Sequence, residues 1–111
     1  MAKIKEILEQ SGHPAARLVW IVKKGQEKPA TYYTFQRITR QPALVADDEV
    51  KEEAETYLVR IITKCDFEAL VDKTVKNLRA AGYCVTSVDQ ESYEEATGYW
   101  IVPITTQIIK V

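Results

Sequence analysis

The spacing of apolar positions changes repeatedly along this chain, and each change marks an element. In residues Lys3 to Gln10, Ile4, Ile7 and Leu8 stand at i, i+3 and i+4, the spacing of one helical face, and Gly12 and Pro14 supply a stop. From Arg17 to Val22 the spacing collapses into the run Leu18-Val19-Trp20-Ile21-Val22, which predicts a buried strand. A lysine- and glycine-rich turn ending at Pro29 follows it. Ala30 to Ile38 predicts the partner strand, with Tyr33, Phe35 and Arg37 on one face and Tyr32, Thr34, Gln36 and Ile38 on the other. Arg40 to Asp48 contains Pro42 and runs into Asp47-Asp48-Glu49, which predicts a loop.

Glu53 to Thr63 alternates with period two. Tyr57, Val59 and Ile61 lie to one side and Thr56, Leu58, Arg60 and Ile62 to the other, so apolar atoms face both ways and the strand is placed centrally. The period then returns to helical: Phe67, Leu70, Val71, Val75 and Leu78 form a stripe, Asp66 is placed to cap it, and Gly82 to end it. Tyr83 to Tyr93 and Tyr99 to Val111 read as closing strands around a Thr97-Gly98 turn. Pro103, unable to donate to a ladder, predicts an edge or a bulge. The order α-β-β-β-α-β-β gives an α+β fold. Its sheet has about five mainly antiparallel strands, with one long helix across a face and a short N-terminal helix.

Composition adds limits to this picture. At 111 residues, 46% hydrophobic and 28% charged, the chain has the make-up of a folding domain, and no linker or repeat divides residues 1–111. The net charge of -1 supplies no overall positive field for nucleic acid or an anionic membrane. The opening residues alternate charges with aliphatics rather than forming a signal peptide, and no segment approaches the ~20 apolar residues of a membrane span. A protein that is cytosolic, at least where it is made, is expected.

Candidate chemistry is sparse. His13, the one histidine, has no second His or Cys at metal-ligand spacing and reads as a loop residue. Cys65 and Cys84 lie outside any C-x-x-C arrangement and read as small buried or half-buried thiols. Asp47, Asp48, Glu49, Glu52, Glu53 and Glu55 form an acidic run without the glycine-centred pattern of a calcium loop, so a solvated loop or charged rim is expected. Tyr32, Tyr33, Phe35 and Arg37 interleave aromatics with a base, as binders of single-stranded nucleic acid do, but core or interface packing is the simpler reading. No phosphate-cradling glycine motif and no nucleophile elbow occurs. The expectation is no catalytic residue, no cofactor and no metal.

The order of the pieces resembles the tail-terminator, or tail-completion, proteins of long-tailed phages and prophages. The resemblance runs from the Lys3-Ile4-Lys5-Glu6-Ile7-Leu8 helix and Gly12 through Pro29, Tyr32-Tyr33-Thr34 and Asp47-Asp48 to Tyr57-Leu58-Val59-Arg60-Ile61-Ile62-Thr63-Lys64. It continues through Asp66-Phe67-Glu68, Ala81-Gly82-Tyr83, Tyr93-Glu94 and Thr97-Gly98-Tyr99-Trp100. It implies a structural protein that forms a ring, commonly a hexamer, on the end of the tail tube, stops its polymerisation and meets the head connector. It also implies a life in the bacterial cytoplasm during assembly and then in the virion tail. A head–tail joining adaptor or minor capsid component would share this description, and a small nucleic-acid-binding regulatory module is a further alternative. Arg37 and Arg40 are opposite in sign to Asp47, Asp48 and Glu49, and these five residues are the expected contacts between subunits.

Overall fold

A computed structural model describes residues 4–19, 28–46 and 49–110, with backbone alone for residues 39, 41–46, 49–53 and 110. Its elements are helix α1 (Ile4–Glu9), strands β1 (Ala15–Arg17), β2 (Thr31–Ala46) and β3 (Glu49–Thr63), helix α2 (Glu68–Ala80), and strands β4 (Cys84–Val88), β5 (Ser92–Glu94) and β6 (Tyr99–Lys110). The strands form one six-stranded sheet in the order β1-β2-β3-β6-β4, with β5 also paired to β6. Every pairing is antiparallel except β1 with β2. The fold is therefore α+β, with β3 in the middle as its two-sided apolar pattern requires.

The core lies between the two helices and one face of the sheet. Ladder pairs Phe35↔Val59 and Val59↔Ile104, and Tyr33↔Ile61 and Ile61↔Val102, set these side chains in rows. Ile4, Ile7, Leu8 and Leu78 close over them from the helices. Phe67, at the start of α2, meets the Trp100 ring at 5.6 Å. A chain of hydroxyls fastens the layers together. Tyr33 Oη donates to Ser11 Oγ at 2.8 Å, Ser11 Oγ donates to the Leu8 carbonyl at 3.0 Å, and Thr74 Oγ1 lies 2.8 Å from Tyr33 Oη and 2.7 Å from the Leu70 carbonyl. Tyr33, Ser11 and Thr74 are all buried, so each polar atom is taken from water and repaid within the core. Burial pushes the Tyr33 phenol up, and its two hydroxyl partners offset part of that.

Helix α2 ends as its glycine predicts. Gly82 has φ +93, its N–H donates to the Arg79 carbonyl at 3.1 Å, and the Tyr83 N–H donates to the Leu78 carbonyl at 2.9 Å. This is the paired closure of a Schellman motif, which needs the left-handed residue at that position. At the other end Asp66 Oδ1 accepts from the Glu68 N–H at 3.1 Å, satisfying one of the first-turn donors.

Four expectations are corrected. The first strand spans Ala15–Arg17 and runs parallel to β2, so it is no antiparallel hairpin partner. Leu18 follows at φ 66, and the Val19 N–H turns back to the Arg17 carbonyl at 2.8 Å, a three-residue turn that lifts the chain off the sheet. Leu18 and Val19 are 60% and 57% exposed instead of buried, while Trp20-Ile21-Val22 and the turn at residues 23–27 lie outside the described residues. The expected loop from Arg40 to Asp48 is strand as far as Ala46. Register shifts at Arg37/Thr39, Pro42/Leu44 and Leu44/Val45 absorb Pro42 without ending the pairing.

The expected strand from Tyr83 to Tyr93 is two strands, β4 and β5. The break faces Pro103, which pairs with Arg60 of β3 on one side and has no ladder partner in β4 or β5 on the other, the local edge that its missing amide proton predicts. The Pro103 carbonyl accepts from the Asp89 N–H at 2.9 Å, so its backbone polar side points at the break. A residue without an amide proton fits there, where the ladder asks for no donor.

Candidate functional site

The β2–β3 hairpin is the longest feature of the fold. β1 accompanies β2 at Tyr33, Thr34 and Phe35, and β6 accompanies β3 as far as Glu53↔Lys110, while β2 and β3 stay paired out to Ala46↔Glu49. The last residues of the hairpin therefore stand beyond the other strands by roughly 13 Å, at about 3.3 Å per residue. The molecule is correspondingly long, 53 × 30 × 23 Å.

At the root of this arm sits an acid. Glu55, paired to Arg40 on β2 and Ile108 on β6, points to the core face of the sheet and is 3% exposed. The Tyr57 hydroxyl donates to Glu55 Oε2 at 2.8 Å, and Glu55 Oε1 lies 3.7 Å from Arg40 Nε and 4.0 Å from Arg37 Nη1. Burying a carboxylate costs several kcal/mol unless charge and hydrogen bonds offset it, and here a phenol and two guanidiniums do so. The two arginine side chains are 47% and 52% exposed, so the long ion pairs are screened and the phenol bond is the firmer contact.

The carboxylate in turn perturbs the tyrosines around it. The Tyr57 phenol is pushed up to about 12, by burial first and then by its bond and proximity to Glu55, with Arg17 pulling the other way. Tyr83, its ring 6.4 Å from that of Tyr57 and inclined at 65°, is also raised, by burial first and then by Glu55.

Of the five expected contact residues, Arg37 and Arg40 stand together at the arm's root, Glu49 begins β3 at its far end, and Asp47 and Asp48 lie outside the described residues. The acidic run is not one solvated loop. Glu49, Glu52 and Glu53 belong to β3, and Glu55 is buried, which the alternation of Tyr57, Val59 and Ile61 would have revealed if carried two residues further back. Tyr32, Tyr33 and Phe35 are buried, so their faces are spent on packing and no base can stack on them. Tyr32 meets Tyr99 edge-on at 5.7 Å on the sheet face away from the helices, beside Ile62, and Tyr99 donates to the Pro29 carbonyl at 2.8 Å.

Cys65 and Cys84 are exposed free thiols, not the buried or half-buried ones expected: Cys84 falls on the outer side of β4, and Cys65 in the link to α2. His13 is half-buried in the turn after α1. Among the described residues no group of three or more His, Cys, Asp or Glu is placed to hold a metal ion, and no helix is long and apolar enough to cross a membrane. A shallow groove of about 560 Å³ runs between α2 and β4, lined by Val71, Asp72, Val75, Lys76, Arg79 and Val88. No protein-family model matches the chain, and no curated protein matches it either.

Proposed function

We propose that this chain is a structural subunit of a phage tail, a terminator that forms a ring on the end of the tail tube, stops its growth and offers the head connector a surface. The observation that carries the reading is the β2–β3 arm, which reaches past the rest of the sheet and has a charged, hydrogen-bonded root. A ribbon held rigid at its base and projecting beyond its sheet suits a subunit that contacts its neighbours through backbone and charge. Arg37 and Arg40 at the root and Glu49 at the far end, together with Asp47 and Asp48, are the proposed contacts between copies. The family resemblance makes the ring a hexamer, with the tail-tube protein and head-connector proteins as its other partners. The protein then works in the host cytoplasm during assembly and afterwards in the virion tail.

Electron microscopy of particles made without this protein tests the reading. Overlong tails, or tails detached from heads, are expected. Tails of ordinary length that merely fail to join heads would make the protein a joining adaptor instead, and intact particles would remove it from tail assembly altogether. Arg40→Glu and Asp48→Arg, made separately, should each disturb ring formation, and normal rings from both would remove the proposed contacts.

A further inference from the structure

The two ladders that share β3 differ in quality. Towards β6, pairing runs from Glu53↔Lys110 to Thr63↔Trp100 without a register shift. Towards β2 it is regular only as far as Arg37↔Tyr57, and the outer half of β2, up to Ala46, passes three shifts. Pro42 brings no amide proton to that half, and β1 has already stopped at Arg17↔Phe35, so among the described residues no strand flanks it on its other side. The outer half of β2 is an edge strand, imperfectly zipped to a regular two-stranded spine.

The first shift has a chemical effect. Arg37 pairs with Tyr57 and Thr39 with Thr56, so Ile38 is an extra residue with no partner in the ladder. In an unbroken strand residues three apart point to opposite faces, and the extra residue turns Arg40 back to the face of Arg37. Both then reach one oxygen, Glu55 Oε1, at 4.0 and 3.7 Å, while Glu55 Oε2 accepts from the Tyr57 hydroxyl at 2.8 Å. Arg37 lies on the body side of the bulge and Arg40 on the outer side. Glu55 is buried and paired on its other side to Ile108 of β6, and the Tyr57 ring belongs to the core. One carboxylate fixed to the spine therefore grips β2 on both sides of its bulge.

We propose that Glu55 is a clasp: its charge keeps the bulged outer half of β2 zipped to the β3–β6 spine, and without that charge this half peels as a unit while the spine stays closed. The fold thus contains an edge strand poised to open, released at a single side chain. Opening bares the edge of β3 from Glu49 to Thr56, a row of backbone N–H and C=O groups ready for another strand. The clasp belongs to the single chain and goes beyond the ring reading without resting on it.

Hydrogen exchange of the full chain, read amide by amide by NMR, tests it. Glu55→Gln keeps the shape and an acceptor for Tyr57 and removes the charge, and Tyr57→Phe keeps the ring and removes the hydroxyl. Circular dichroism should show both folded. In Glu55→Gln the β2 amides between Thr39 and Ala46 should exchange about fivefold faster, the effect of losing two half-exposed ion pairs. Those of Tyr33 to Phe35 and of Val102 to Ile108 should keep the wild-type rate. Tyr57→Phe should move the same outer amides in the same direction.

Outer β2 amides that exchange at the wild-type rate or slower in Glu55→Gln overturn the clasp. So does a rise shared equally by β6, which means that the sheet opens as a whole. Should Glu55→Gln fail to fold, either of those results in Tyr57→Phe overturns it instead. Ring formation and tail length are measured separately, so failure of the clasp leaves the terminator reading as it stands.

Discussion

The helix-covered body and the β2–β3 arm solve the problem of burying polar atoms in different ways. In the body, Tyr33, Ser11 and Thr74 pass neutral hydroxyl bonds from α1 to β2 to α2, deep among aliphatic side chains. At the arm's root the buried group is a carboxylate, held by Tyr57 and by two arginines that remain half in water. Neutral hydroxyls fix a core with little sensitivity to salt or pH, whereas a buried charge ties local stability to its partners' protonation and to ionic strength. The stable scaffold and the tunable projection are thus built from different chemistry.

The sharpest way to break the comparison is to empty the body. Leu78→Ala, at a fully buried position facing the sheet, should cost about 2–5 kcal/mol in urea unfolding. Tyr33→Phe strips the hydroxyl chain of its middle member and should cost about 1–3 kcal/mol. If its effect were no larger than that of a surface substitution, the chain of hydroxyls would not be holding the layers together. Gly82→Ala meets open space but forces a side chain into φ +93, and should cost about 1–2 kcal/mol by the same measurement.

The arm gives a smaller, pH-dependent signature. Tyr57 titrates near 10 when unfolded and at about 12 when folded, so the native state holds its proton more tightly. The stability from this group is fully present below pH 10 and is lost as pH rises from there towards 12. Tyr57→Phe should flatten that alkaline decline, leaving the part due to Tyr32, Tyr33 and Tyr83, which burial also raises. An unchanged alkaline slope in the variant would mean that burial beside Glu55 does not raise the Tyr57 phenol. Smallest of all, Leu18→Gly should raise monomer stability by under about 1 kcal/mol, because relief of a left-handed leucine exceeds the added freedom of the unfolded chain.

Elements with a strong period were legible in the sequence: α2 from its stripe, its end from Gly82, and the central β3 from apolar residues on both faces. Where the structure departs from the local pattern the cause is shared: tertiary pairing outweighs local punctuation. Pro42 and Asp47-Asp48 look like a loop, yet β3 supplies a ladder partner for β2 through and beyond Pro42. Leu18-Val19 looks like buried strand, yet a tight turn, invisible in composition, points both residues outward. Glu55 was hidden in a run of acids, and only its place in the period-two register of β3 distinguishes it from neighbours that the same reading put in solvent. The arm could not be foreseen at all, because its reach depends on where β1 and β6 stop.

Pro103 leaves one more consequence. Because β6 bears no amide proton at the point where β4 ends and β5 begins, the outer ladder has a seam there, bridged by the Asp89 bond to the Pro103 carbonyl. Zippered on either side of that seam, β4 and β5 are separate opening units: the β5 hairpin, with its Thr97-Gly98 turn, can fray while β4 stays clasped. Deuterium should therefore enter the amides of Ser92 to Glu94 well before those of Cys84 to Val88.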